Sequence, residues 1–298
     1  MLKNKNDIKS IIYLVCTLTV FVLLWIFGSQ LPLWAFVPAY IVLLFFSMSV
    51  AVMAHNHNHL SMWKNKYMNI LTDNIMTIFY GFPVFAWIPT HNSNHHKYVN
   101  KEPDYTKTYR YTERNNLFTL LTYPSISGIF QQSVVGTFWK NTFSKNKEKF
   151  FWYTLQFVVL ISWIVAAFYL GGWQKALQYV VIPQQFSLFS VLLFNYVQHV
   201  HADEETKYNS SRNFMGILNS MLFNNGMHTV HHLYPSLHWS ELPEEHEKIK
   251  HLIDDSLIEE NGFWAYIIRS YVVGLFIPKY RTSSMRVARM KSGKSVGE

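Results

Sequence analysis

Charged residues and cysteine are both scarce in this chain of 298 residues. Asp, Glu, Lys and Arg make up 15% of it, against about 25% in an average soluble domain, which argues against an ordinary soluble globule. The only cysteine, Cys16, has no partner for an intrachain disulfide. The absence of a Cys-x-x-Cys pair excludes thiolate zinc, thioredoxin-like and iron-sulfur sites. The abundant residues are apolar ones, at 50%, and 14 histidines.

Four uncharged apolar segments are long enough to span a membrane, for which a helix needs about 20 mainly apolar residues. They cover residues 11–28, 31–54, 150–170 and 176–198. A large soluble protein could bury such helices, but a domain of this size seldom needs four of them. We therefore predict an all-α integral membrane fold. It would have four transmembrane helices and a cytoplasmic helical cap that carries the histidines, in one domain over residues 1–298.

The basic residues predict how these spans are oriented. Two residues join the first pair of spans and residues 171–175 join the second pair, so both connections are tight hairpins on one side. Of the 26 Lys and Arg residues, all except Lys175 lie outside these two connections, in the terminal segments and the middle loop. The positive-inside rule then places both termini, residues 55–149 and residues 199–298 in the cytoplasm. A cleaved signal peptide is the alternative for the first segment, but its removal would divide the basic segments across the bilayer.

Several further segments are apolar but less regular. Residues 74–90 and 115–139 are uncharged, yet proline, glycine and polar residues interrupt them, which favours interfacial or re-entrant helices. The same interpretation suits residues 263–277, which precede a basic tail over 279–294 that we expect to lie against anionic headgroups. Residues 240–261 predict a soluble amphipathic helix that ends before a glycine.

Most of the histidines fall into four groups near the predicted cytoplasmic helix ends. The groups are His55, His57 and His59; His91, His95 and His96; His199 and His201; and His228, His231 and His232. Residues three or four apart share one face of a helix and can present their imidazoles to one point. Residues at this spacing are His55 with His59, His91 with His95, His228 with both His231 and His232, and Asn195 with His199. His57 lies about 200° round the helix from His55 and is expected to point elsewhere.

Neutral imidazole suits iron, zinc and copper, and about nine such residues exceed the four to six positions of one ion. The grouping therefore predicts two metal ions in an all-nitrogen or nearly all-nitrogen site. Soluble helical di-iron proteins use Glu-x-x-His motifs, which do not occur here. Five histidines are expected to have ordinary roles, with His201 a candidate supporting group: His57, His201, His238, His246 and His251. A metal-storage or structural role for the other nine is the alternative.

Three segments resemble the histidine boxes of the membrane fatty acid desaturase superfamily. They read His-Asn-His-Asn-His over 55–59, His-Asn-Ser-Asn-His-His over 91–96, and Met-His-Thr-Val-His-His-Leu-Tyr-Pro over 227–235. The third box is especially similar to that of acyl-lipid desaturases. The resemblance extends over about residues 31–247.

This resemblance implies a non-haem di-iron centre that activates O2 and is held by nine histidines. Carried over position by position, they are His55, His59, His91, His95, His96, His199, His228, His231 and His232. Asn195 matches the asparagine that faces a metal through water. Asp104 resembles a residue that orients a ligand imidazole, and Asp203 and Asn225 are weaker candidates for that role. Because the first box also contains His57, the choice of its outer two histidines rests on helical spacing.

The resemblance implies a membrane oxidoreductase that uses O2 and two iron ions to desaturate a fatty acyl chain in lipid metabolism. Removing hydrogen from an unactivated methylene requires a redox metal, because no side-chain acid, base or nucleophile can do it. The alternative enzyme is a di-iron hydroxylase of alkanes, lipids or carotenoids. Outside enzymes, the alternative is a membrane metal-binding or transport protein. A transporter would bind its ion near the bilayer midplane, whereas these histidines lie at or beyond span ends.

Electrons for such a reaction must come from a separate protein. The sequence contains no Gly-x-Gly-x-x-Gly turn, no haem-binding His-Pro-Gly-Gly and no iron-sulfur ligand set. The expected donor is a ferredoxin, a rubredoxin or a cytochrome. The net charge of +8 would suit an acidic donor at the cytoplasmic face, although the same charge also serves topology and lipid headgroups. The expected partners are therefore this donor, the bilayer and a lipid substrate, with no nucleic acid.

Overall fold

The structure, a computed structural model, describes residues 1–293. The α-helices are α1 Ile8–Phe27, α2 Leu33–His59, α3 Lys66–Tyr80, α4 His96–Tyr98, α5 Leu117–Lys145, α6 Lys147–Ala176, α7 Ile182–His199, α8 Ile217–Met221, α9 His228–Leu233, α10 Leu242–Ile249, α11 Gly262–Ile267, α12 Gly274–Phe276 and α13 Met285–Ser292. The π-helical segments are Ile88–His95, Leu177–Val181 and Ile268–Val273. The 3-10 segments are Lys5–Asp7, Gly28–Gln30, Val84–Ala86, Lys250–Leu252, Asp255–Leu257 and Pro278–Tyr280. Two short strands, β1 Asn213–Phe214 and β2 Ile258–Glu259, pair in parallel.

The all-helical prediction is confirmed, apart from the two short strands. Residues 294–298, which include the last lysine of the predicted basic tail, lie outside the described residues. The predicted helix over 240–261 is wrong in length, because α10 ends at Ile249 and is followed by two 3-10 turns and β2. The side chain of Asp254 caps the second turn, and β2 pairs with a strand some 45 positions earlier in the chain. Helical periodicity could not reveal that long-range pairing.

Three helical stretches are apolar and long enough to cross a membrane: Lys5–Gln30, Leu33–His59 and Lys147–His199. The third has 53 residues, about 80 Å of helix, where a hydrocarbon core of about 30 Å requires far less. Gly172 interrupts it, since the backbone there has φ 68° and ψ 176°. That conformation is open almost only to glycine, and it falls inside the connection predicted over 171–175.

Residue contacts divide the chain into two compact units. Unit 1 comprises Met1–Pro89 and Val134–Val191, and unit 2 comprises Thr90–Ser133 and the chain from Leu192 onward. The boundaries fall within the π-helix Ile88–His95, within α5 and within α7. The predicted segment 115–139 is continuous helix in α5, with Pro124 inside it.

Aromatic side chains hold the helices of unit 1 together. The ring of Phe21 in α1 lies 5.2 Å from that of Trp163 in α6 and 6.1 Å from that of Phe79 in α3, measured between centroids. Other apolar side chains of α1, such as Val15 and Leu18, are at least half exposed. A helix that leaves so much apolar surface uncovered is suited to lipid surroundings.

The limits of α3 follow from local sequence. The side chain of Asn65 accepts hydrogen bonds from the backbone N–H groups of Tyr67 and Met68 and starts the helix. Gly81 ends it with φ 86°, the left-handed conformation that glycine adopts without penalty. A Cβ atom at Gly81 would lie 2.5 Å from the Cβ of Gln184, so this position also requires the smallest residue.

Unit 2 combines short helices with long loops. Its apolar cluster has these buried members: Ala202, Met227, Val230, Leu242, Ile249, Ile253 and Leu257. Beside it, Arg212 and Glu259 form a buried ion pair of 2.8 Å that links the β1 and β2 segments. The ends of α9 and α10 are thus fixed by apolar packing and by specific polar contacts, which together position the histidines of α9.

Candidate metal centre

The second histidine segment adopts a π-helix over Ile88–His95 that leads directly into α4. A π-helix brings residues five apart onto one face. The Nε2 atoms of His91 and His96 accordingly lie 3.0 Å apart. His95 directs its Nε2 elsewhere, to within 3.0 Å of His199 Nε2. The expected convergence of His91 with His95 is therefore wrong, because it assumed ordinary α-helical spacing.

The third histidine segment is divided in a similar way. In α9, His228 and His232 are four residues apart and their Nε2 atoms lie 3.1 Å from each other. His231 instead places its Nε2 3.0 Å from that of His96. The expectation that all three would meet at one point is thus correct for two of them. The structure separates the histidines of the second and third boxes between two clusters.

Four of these histidines, which we call group A, lie in unit 2: His95, His199, His228 and His232. The Nε2 of His199 is 3.0 Å from that of His95, 3.0 Å from that of His228 and 3.2 Å from that of His232. Metal–nitrogen bonds of about 2.1 Å place neighbouring ligand nitrogens about 3.0–3.4 Å apart, from octahedral to tetrahedral geometry. The spacing in group A therefore matches that of ligands around one ion.

Two members of group A have their tautomers fixed by acceptors that lie beside their Nδ1 atoms. His95 Nδ1 lies 2.8 Å from Asp104 Oδ2, and His199 Nδ1 lies 2.9 Å from the carbonyl oxygen of Ser210. Because a carboxylate and a carbonyl only accept, both Nδ1 atoms carry the hydrogen, and both Nε2 atoms carry a lone pair. Two lone pairs 3.0 Å apart repel unless a cation lies between them. This arrangement fits a metal ion.

Asp104 is fully buried and has a complete set of donors. Besides His95, it accepts hydrogen bonds from the backbone N–H groups of Asn100 and Thr106 and from the Thr106 hydroxyl. Burial alone would raise the pKa of this carboxyl, but the hydrogen bonds from His95 and Thr106 outweigh that effect and hold the pKa below its ordinary value. Asp104 therefore stays ionised and keeps the hydrogen on His95 Nδ1.

His232 is held in its neutral form. Burial, followed by the neighbouring His228, His96, His95 and His199, lowers its pKa well below 6.5. A neutral imidazole is the form that binds a metal. The environment of group A thus favours metal binding over protonation.

Asn195 in α7 lies next to group A. Its Nδ2 is 3.4 Å from His95 Nε2, and its Oδ1 accepts a hydrogen bond of 2.6 Å from the hydroxyl of Tyr123. That hydroxyl is also within hydrogen-bond distance of the Thr106 carbonyl oxygen. Tyr123 lines a cavity of about 200 Å³ whose rim includes Lys107 and Arg110. Its side chain therefore stands between this cavity and Asn195.

Three more histidines, group B, also lie in unit 2: His91, His96 and His231. Their nearest ring nitrogens all lie within 4.8 Å of one another. In unit 1, His55 and His59 form the α2 pair on the last turn of α2, with ring centroids 4.9 Å apart. All nine predicted ligands thus occur in sets that present imidazoles together.

The remaining histidines have contacts of other kinds or none. His57 Nδ1 accepts a hydrogen bond from the Met62 N–H, and its Nε2 is 3.5 Å from Asp73. His201 joins Thr282 to the Glu113 carbonyl, and His238 bonds to Ser240. Both ring nitrogens of the buried His246 lack a hydrogen-bond partner among the described residues, whereas His251 is exposed.

Two predicted supporting residues have other contacts. Asp203 pairs with Arg289, at 2.6 Å between Oδ2 and Nε. Asn225 offers its backbone carbonyl to the side chain of Gln198. Sequence reasoning missed Thr106, Tyr123 and the Ser210 carbonyl. Thr106 could have been found from its position two residues after Asp104, the spacing of an Asx turn, but the other two carry no local signal.

The sequence matches a family model described as "Fatty acid desaturase". The match covers residues 32–264, which is well over half of the chain. No curated protein and no solved structure matches the chain.

Proposed function

The chain belongs to the fatty acid desaturase family, and from that premise we propose that it is a membrane oxidoreductase that introduces a double bond into a fatty acyl chain. The observation that carries the proposal is group A. Its Nε2 lone pairs converge while Asp104 and the Ser210 carbonyl hold the hydrogens on the opposite nitrogens of His95 and His199. A cation would relieve the repulsion between these lone pairs, and imidazole ligands suit iron.

The proposed cofactor is a pair of iron ions held by the nine histidines. Group A would hold one ion, and the family resemblance implies that the nine histidines together hold two. Bound iron would supply the redox chemistry with O2 that is needed to remove hydrogen from a methylene. Asp104 and Ser210 orient their imidazoles, and the amide of Asn195 lies where it can bond a water at group A.

The proposed setting is the four-span topology with both termini in the cytoplasm. The break at Gly172 supports it, because it divides a stretch of 53 residues into two parts that are each long enough to cross. The substrate would be a lipid or fatty acyl chain of the bilayer. Its electrons would come from a separate ferredoxin, rubredoxin or cytochrome.

Expression in a host of known lipid composition, followed by mass spectrometry of the lipids, tests the reaction. We expect products that have lost two hydrogens, and purified protein with about two irons per chain. A gain of one oxygen would identify a hydroxylase instead. Stoichiometric zinc without iron-dependent oxygen use would contradict the oxidoreductase and favour a metal-binding or transport protein.

The matched variants are His231→Ala and His251→Ala. The first removes a member of group B and is expected to abolish product formation. The second removes an exposed histidine and is expected to leave the product yield unchanged. It is a better control than His57 or His246, because both of those are buried and their removal would leave a cavity.

A further inference from the structure

The residues just before α13 and the first five residues of α13 contact the loop that follows His199 within unit 2. We call residues 282–289 the C-terminal strap and residues 200–211 the His199 loop. Arg289 Nε lies 2.6 Å from Asp203 Oδ2, and Arg286 Nε lies 2.7 Å from Glu204 Oε1. The side chains of both carboxylates are only 4% exposed, so each depends on its arginine for compensation of its charge.

Two further contacts hold His201, which is two residues before Asp203 in the loop. The N–H of Met285 donates to the carbonyl oxygen of His201 at 3.1 Å, and the Thr282 hydroxyl lies 2.7 Å from His201 Nδ1. Met285 also packs against the apolar cluster that includes Ala202. The strap therefore contacts three positions of the His199 loop: His201, Asp203 and Glu204.

The His199 loop, in turn, orients His199 through its far end. The N–H of Asp203 donates to the Asn209 carbonyl at 2.8 Å, which fixes the chain one residue before Ser210. The Ser210 carbonyl then accepts the hydrogen of His199 Nδ1. A series of direct contacts thus runs from Arg289 through Asp203 and Asn209 to Ser210.

We propose that the C-terminal strap positions His199 for metal binding, with Arg289 as the principal positioning residue. The proposal rests on the proposed function in that the histidines bind two metal ions, one of them at group A. Without Arg289, the buried carboxylate of Asp203 would be uncompensated, and it would move towards water and displace the loop. The Ser210 carbonyl would then no longer hold His199 Nε2 towards the other three histidines. Group B contains no residue of this loop and should be unaffected.

The test measures metal binding rather than turnover. The full chain in lipid nanodiscs, stripped of metal, is titrated with Co²⁺ against a competing chelator, and bound ions per chain are counted. We expect the original protein to bind two ions. Arg289→Gln should bind one of them about tenfold more weakly, the effect typical of losing a supporting contact, and leave the other unchanged.

A second variant separates positioning from general destabilisation. Arg289→Gln combined with Asp203→Asn removes the uncompensated charge and allows an amide pair, so it should recover most of the lost affinity. Lys248→Gln, which breaks an exposed ion pair on α10, is the control and should bind both ions as the original does. Hydrogen exchange in residues 200–211 should increase in Arg289→Gln and return towards the original rate in the double variant.

Three results would overturn the proposal: unchanged binding in Arg289→Gln, equal weakening of both ions, or no recovery in the double variant. Failure of the proposed function is recognised separately. If the original protein binds no Co²⁺, both proposals fail. If the variants show the expected binding pattern but the original protein makes no altered lipid, the desaturase proposal alone fails.

Discussion

Unit 1 and unit 2 differ in the side chains that they expose and enclose. The long helices of unit 1 leave isoleucine, valine and leucine outside, while unit 2 encloses His95, Asp104, Asn213 and Ser211 almost completely. Apolar surface costs nothing in a hydrocarbon solvent, so the outward faces of the unit 1 helices need no protein to cover them. Buried polar groups are costly unless each finds a partner. The comparison indicates that unit 2 must satisfy each of these enclosed polar groups with its own partner, whereas the outward faces of unit 1 depend on the surrounding solvent.

The largest effect is expected from the Arg212–Glu259 pair. Glu259→Gln would leave the guanidinium of Arg212 buried without its carboxylate, which should lower the free energy of unfolding by about 3 kcal/mol. This is the lower end of the usual range, because Arg212 also lies over the ring of Tyr266 and bonds to the Ser256 carbonyl. Thermal unfolding in detergent measures it. Glu244→Gln, at an exposed pair, should show no change, and equal effects would refute the dependence on burial.

A somewhat smaller effect is expected at Asp104. Asp104→Ala removes the acceptor that fixes the tautomer of His95, so metal affinity should fall by up to about a hundredfold, or about 2.7 kcal/mol. Competition against a chelator measures that affinity. Asp255→Ala, an exposed acidic residue in the same unit, provides the comparison. If affinity is retained in Asp104→Ala, the hydrogen on His95 does not need this carboxylate.

The smallest effects are expected in α1, where two adjacent leucines differ in burial. Leu24 is 2% exposed and Leu23 is 51% exposed. Leu24→Ala should lower the free energy of unfolding by about 2 kcal/mol, mainly through lost packing. Leu23→Ala should change it by less than about 0.5 kcal/mol. Similar values for both would mean that the outward face of α1 is covered by something other than lipid.

Hydropathy located most of the membrane-facing architecture in advance. The predicted spans 11–28 and 31–54 lie within or close to α1 and α2, and the predicted connection at 171–175 contains the break at Gly172. These features depend on local composition and on one glycine, which can be recognised without knowing any partner. The histidine groups were visible for the same reason, since their spacing is local.

The partition of the histidines could not be predicted in this way. The π-helix over Ile88–His95 shifts the helical phase, so that the side chain of His91 points in the same direction as that of His96 and meets it, instead of meeting His95. In α9, His231 turns away from His228 and His232 to meet His96. Partners such as Tyr123 and the Ser210 carbonyl come from positions that are distant in sequence from the residues they support. Their identity depends on how the segments pack.

By itself, the sequence determined the helical class, the apolar segments and the kind of metal ligand, because hydropathy and imidazole chemistry belong to individual residues and their near neighbours. Only the tertiary structure decided which imidazole nitrogens converge, which of them carry hydrogen, and that a C-terminal strap supports the loop after His199. Those properties depend on distances between segments far apart in the chain. The ring nitrogen of a histidine that keeps its lone pair is decided only when a buried acceptor binds the hydrogen on the other ring nitrogen.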